Sequence, residues 1–173
     1  MSNAAALSEE PALRVRALSW LWPSATAAFL LLIHVAPVVA LVRGARAADW
    51  VAFGVGYAIA SFGAVGGLHR YFAHASFRTS RPFQLVIAVA GCAVGGDPIS
   101  FTARHRRHHR LADTGADVHG PHQGWFSCWF GTLLDYGMSE REMLHLAPDL
   151  AAWPELRWLH RWSFVPALGA AAV

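Results

Sequence analysis

Of the ten histidines in this chain, five fall into two groups whose spacing suits metal chemistry. His105, His108 and His109, in the stretch TARHRRHHRLADT, stand at positions i, i+3 and i+4. At about 100° per residue, three imidazoles then project from one helical face within a sector of roughly 100°. His108 and His109 flank His105 widely enough to serve neighbouring metal ions. His69 and His74, in GLHRYFAHASF, are five apart, or about 140° around a regular α-helix. They converge only where the helix ends or bends between them. Neutral imidazole ligates transition metals at physiological pH. Each group also has a plainer use. RHRRHHR reads as a juxtamembrane basic cluster for anionic lipid headgroups, and His69 and His74 as interfacial side chains bonding to backbone or lipid. The two groups together, on one face and at ligand spacings, favour a metal site.

The elements that must position these groups are apolar. Of the 173 residues, 55% are hydrophobic and 14% charged, with 8 Trp and 10 Phe and a positive mean hydropathy of +0.33. That composition points to a membrane protein or to a very buried core, and the distribution along the chain decides between them; no nucleic-acid partner is expected. Ser24–Val42 and Trp50–Leu68 carry no Asp, Glu, Lys or Arg. Each reaches about 28 Å as a helix, close to the roughly 30 Å hydrocarbon core. They predict two transmembrane helices joined by the loop Arg43–Asp49. The first is too long for a signal-peptide core, which runs about 7–15 residues. Every basic residue is Arg. Arg14 and Arg16 precede the first span, and Arg70, Arg78, Arg81, Arg104, Arg106, Arg107 and Arg110 follow the second. The positive-inside rule therefore puts both ends of the hairpin in the cytoplasm, against a smaller contribution from Arg43 and Arg46.

Phe83–Val94 is apolar but reaches only about 18 Å as a helix, and Gly95, Gly96 and Pro98 follow it. It predicts a non-spanning interfacial helix, which keeps both histidine groups on the cytoplasmic face. Cys92 and Cys128 form no disulfide framework or zinc motif and read as buried packing. Trp125–Trp129 and Trp153–Trp162 read as interfacial aromatic anchors. His34 lies mid-span and suits a structural hydrogen bond; His122, His145 and His160 read as interfacial or solvated. The chain ends in SFVPALGAAAV, about 16 Å of helix and short of a crossing. The expected fold is an all-α integral membrane protein: a single domain, 1–173, with spans near 24–42 and 50–68, a cytoplasmic histidine region at 69–162 and an incomplete third span at 163–173.

At these residues the chain resembles the membrane-bound fatty acid desaturases, specifically the acyl-CoA delta-9 type and its bacterial members. HRYFAH (His69–His74) is similar to that family's first histidine box, H-x4-H, and HRRHH (His105–His109) to its second, H-x2-H-H. GGDPISFTARHRRHH, LADTGADVHGPHQGWF, LAPDL and LRWLHRW resemble the family's flanking runs. Val118 stands where the family usually has Pro, Ala103-Arg104 where its CoA-ester enzymes often have Arg-Asp, and Cys128 where a His is common. The family's third box has no counterpart here, so the chain is expected to be C-terminally truncated.

The resemblance implies two iron ions held mainly by histidines, among them His69, His74, His105, His108 and His109. It implies O2-dependent insertion of a cis double bond into a saturated acyl chain carried on CoA, another thioester or a lipid. Electrons would come from a ferredoxin or a cytochrome b5-like donor. It also implies a multi-pass protein of the bacterial cytoplasmic membrane, with the boxes facing the cytoplasm. Asp113 and Asp117 are candidates to orient ligand imidazoles or, equally, to form turns and caps. His119 is a candidate for a supporting or substrate-side role. Two other classes remain open: a related di-iron hydroxylase, and a non-catalytic stub binding metal or lipid.

Overall fold

The computed structural model describes residues 31, 35–117, 120, 124–125 and 138–171. Residues 35–43 are helical and belong to a separate unit from the remainder, which starts at Ala47. The rest of the expected first span, with His34, lies outside the described residues, as do His119, His122 and Cys128.

The second unit opens with α1, Ala47–Ser61, which runs directly into a π-wound segment, Phe62–Ala73. Together they form a continuous helix of 27 residues whose most apolar 18-residue window has mean hydropathy 1.6. Among the described residues it is the one helix long and apolar enough to cross a membrane. The expected span at 50–68 lies inside it, and the expected loop at 43–49 shrinks because α1 already starts at Ala47. α1 buries none of its residues. Trp50, Phe53 and Tyr57 form an outward aromatic row, the surface of a helix that faces lipid or other helices rather than its own domain.

Burial begins in the π segment, where Gly63, Gly67, Leu68 and Phe72 face inward. They meet α2, Arg81–Cys92, whose start is fixed by the Ser80 hydroxyl accepting from the Phe83 N–H and by Pro82 in the first turn. α2 buries Gln84, Ile87, Ala88, Gly91 and Cys92, one stripe at helical spacing. A Cβ on Gly63 would stand 2.4 Å from the Ala90 carbonyl carbon, so only glycine lets the two backbones approach this closely. Cys92 is wholly buried; burial first, then the nearby Asp97 charge, pushes its thiol up to about 12. That thiol is inert packing.

Gly95 turns the chain at φ +81 into α3, Pro98–Leu111, the helix of the second histidine group. Asp97 is its N-cap, accepting from the N–H groups of Ile99 and Ser100, with Pro98 in the first turn. α4 (Glu140–Leu146) starts with a capping box between Ser139 and Glu142. α5 (Pro148–Ala151), α6 (Pro154–Trp162) and α7 (Phe164–Ala171) follow. Leu68, Phe72, Ile87, Cys92, Ile99, Leu150, Leu156 and Leu159 close the core among the π segment, α2, α3, α5 and α6. The described residues are all helix and connection, with no strand.

Candidate metal centre

The π winding resolves the five-residue spacing of His69 and His74. Its hydrogen bonds run from i to i+5, so residues five apart come nearly into line instead of diverging by about 140°. The bond that closes the segment joins the histidines themselves: the His74 N–H donates to the His69 carbonyl at 3.1 Å, with His74 as the C-cap. Their rings stand 4.6 Å apart, edge to face. α3 brings His105 onto the same point, its ring 4.6 Å from His69 and 4.9 Å from His74. His109, one turn along α3, lies 4.5 Å from His105 and 5.0 Å from His74.

The ring nitrogens face one another. Nε2 of His74 is 3.1 Å from Nε2 of His69 and 2.9 Å from Nε2 of His105, which is 3.0 Å from Nε2 of His109. An imidazole nitrogen offers one proton or one lone pair in its ring plane. His74 and His105 each have two such neighbours at one nitrogen, so protons alone do not satisfy the cluster. A metal ion does. With imidazole–metal bonds of about 2.1 Å, ligands at right angles lie about 3 Å apart. The cluster His69, His74 and His105, with ligand atoms all within 4.8 Å of one another, can hold a metal ion. Burial first, then the neighbouring histidines, pull His105 down to about 4. It is therefore neutral at physiological pH with its lone pair available. Phe101 stacks on the His105 ring at 5.6 Å and 18°.

His108 is turned differently. Its ring lies 5.9 Å from His105 and 5.4 Å from His109, and its Nδ1 is 3.0 Å from both oxygens of Asp117. A buried carboxylate accepting at Nδ1 makes Nε2 the lone-pair nitrogen and fixes the ring. Asp113 is exposed, in the turn after α3, with φ +65, a conformation Asp tolerates better than most residues. His119 lies outside the described residues. The structure thus gathers His69, His74, His105 and His109, sets His108 beside them against Asp117, and leaves Asp113 in its turn.

Three ties between helices were missed from the sequence. His160 on α6 is not solvated: its Nδ1 is 3.0 Å from Asp97 Oδ1 and 3.1 Å from Ser100 Oγ, with the side chain 13% exposed. Burial pushes the Asp97 carboxyl up, but the bonds from His160 and Ser100 outweigh it and hold it below the usual carboxylate range. The same bond raises His160 against its own burial. On α3, Arg106 grips both oxygens of Asp149 at 2.7 and 2.8 Å and donates to the Leu146 carbonyl at 2.9 Å. Arg81 pairs with both oxygens of Glu155 and lies over the Trp153 ring at 4.7 Å. That tie places Trp153 against the helical core as well as at an aromatic surface. Asp97 was findable, because Asp-Pro before a helix is a capping signature; nothing local marks His160 as its partner.

Curated proteins similar to this chain include fatty acyl desaturases and an acetylenase. The hex-5-enoyl-acyl-carrier-protein acetylenase of Moorena producens is 42% identical over 66 residues, 38% of this chain and 21% of that one. The icosanoyl-CoA 5-desaturase of Limnanthes douglasii is 33% identical over 108 residues, 61% of this chain and 30% of that one. The acyl-CoA C20 Delta5-desaturase of Anemone leveillei is 34% identical over 116 residues, 65% of this chain and 37% of that one. Over the matched residues the chain is similar to fatty acid desaturases, which supports that family. It spans between 21% and 37% of the length of these three relatives. No family model matches it.

Proposed function

We propose that this chain carries part of the iron centre of a membrane fatty acyl desaturase, with His69, His74, His105, His108 and His109 as ligands. The observation that carries the reading is the convergence of four Nε2 atoms at about 3 Å steps. Bound iron with dioxygen supplies the oxidant needed to remove hydrogen from an unactivated methylene, which no side chain can supply. The chain's own residues prepare the site. Burial keeps His105 neutral, Asp117 holds the His108 ring, and the π winding aligns His69 with His74. Two irons of five or six ligands each need more than these five histidines, so further ligands come from beyond them.

The substrate is a saturated acyl chain on CoA, another thioester or a lipid, in keeping with the names of the relatives. The electron donor is a separate ferredoxin or cytochrome b5-like protein. The apolar stretch from Trp50 to Leu68, in α1 and the first half of the π segment, crosses a bacterial cytoplasmic membrane, and the arginines from Arg70 onward keep the histidines on the cytoplasmic side.

The test is metal content per chain after anaerobic reconstitution with ferrous iron in detergent, beside a His105→Ala, His109→Ala double variant. Iron bound by the parent and lost in the variant supports the centre; equal iron in both sinks it. Lipid analysis of cells expressing the gene then reads the reaction. New double bonds are expected, and hydroxylated acyl chains in their place would overturn the desaturase assignment.

A further inference from the structure

The histidine helix has a second anchor at its other end. Asp97 caps α3, and eight residues later, about 12 Å along the axis, stands His105. Asp97 is 5% exposed, so its charge depends on protein partners. On α3 itself these are the Ile99 and Ser100 N–H groups. Among the described residues, the side chain from another helix at hydrogen-bond distance is that of His160 on α6. The charged and titratable groups around the pair are Cys92 from α2, Arg104 from α3 and Glu140 from α4. α6 is tied in turn to the start of α2 through Glu155 and Arg81, and α5 grips α3 midway through Asp149 and Arg106. The segment from Pro148 to Trp162 therefore spans the helices that carry and support both histidine groups.

We propose that His160 is a positioning residue for the metal centre: its bond to Asp97 sets where α3 begins, and thereby where His105 and His109 meet His69 and His74. α3 is rigid between its cap and its histidines, so movement at Asp97 is carried along the axis. Sub-ångström displacement matters at the far end, because the nitrogens stand about 3 Å apart and metal geometry is narrow. The proposal rests on the metal-centre reading above.

Anaerobic titration of the full chain in detergent with cobalt(II), followed by d–d absorption, tests it. The parent should bind and His105→Ala should not; equal binding by these two overturns the metal-centre reading itself. His160→Ala should bind about tenfold more weakly with a shifted d–d band. His160→Asn, whose side-chain N–H occupies the place of Nδ1, should bind within about threefold of the parent with the parent's band. His160→Gln, one methylene longer, should not be rescued; if the alanine variant does not fold, the Asn and Gln pair decides. Arg81→Gln, which cuts the same helix's tie to α2, controls for general loosening and should keep the parent's spectrum. Parent-like affinity and spectrum in His160→Ala, or in His160→Gln, would overturn the positioning role while leaving the metal centre intact. Loss of the band in Arg81→Gln to the same degree would overturn it too, by making the effect one of stability.

Discussion

The two ends of α3 use histidine in opposite ways. At the N-terminal end His160 meets a carboxylate and a hydroxyl, and Asp97 also receives two backbone N–H groups. At the C-terminal end His105 meets the nitrogens of His74 and His109, groups of its own kind. One end completes its hydrogen bonding within the fold; the other is built so that protein alone does not complete it. The electrostatics follow: the same ring is raised beside Asp97 and pulled down to about 4 among other histidines. A cluster of like donors converging on one point signals a ligand more strongly than histidine content does.

This contrast can be broken from either end. The largest effect is expected from His105→Ala, which removes the nitrogen shared by two neighbours. Metal affinity should fall beyond about 100-fold in a cobalt(II) titration, with little change in melting temperature of the metal-free chain. Asp97→Ala should act first on stability, with metal affinity falling about as far as in His160→Ala. It removes a cap and leaves the largely buried His160 with Ser100 alone in place of its carboxylate, so unfolding in denaturant should show a loss of about 3 kcal/mol. If Asp97→Ala proved as stable as the parent, the two ends would not differ as described.

Asp117→Asn sharpens the comparison, because it alters His108, which has a carboxylate partner beside the cluster. Metal affinity should drop about tenfold through a misdirected His108 ring. The smallest effect concerns pH. Asp97 titrates below its ordinary range, so its contribution is lost only as pH falls through that lowered value. His160 titrates above its ordinary 6.5, so its charge contributes fully below that value and is lost as pH rises through the raised one. The melting temperature of the metal-free parent relative to His160→Asn should therefore be highest just below pH 6.5 and fall as pH rises above it. A gap that widened with rising pH would contradict the charged pair.

Much of this molecule was legible along the chain because it is encoded locally. The apolar run of α1 shows in composition, the start of α3 in Asp97-Pro98, and the shared face of His105 and His109 in a four-residue spacing. The length of Phe83–Val94 likewise marked α2 as too short to span, and it is a 12-residue helix. What local pattern could not supply was the winding of the helix before His74. Five-residue spacing predicts divergence on an α-helix and alignment on a π-helix. The close fit of Gly63 and Gly67 against the α2 backbone accompanies the latter. Nor could it pair His160 with Asp97 across 63 residues, or Asp149 with Arg106 across 43. Sequence by itself determined which residue types were available, in what local order, and how long each helix could be. Only tertiary packing decided which histidines meet nitrogen and which meet carboxylate, because that depends on which helices share a buried face.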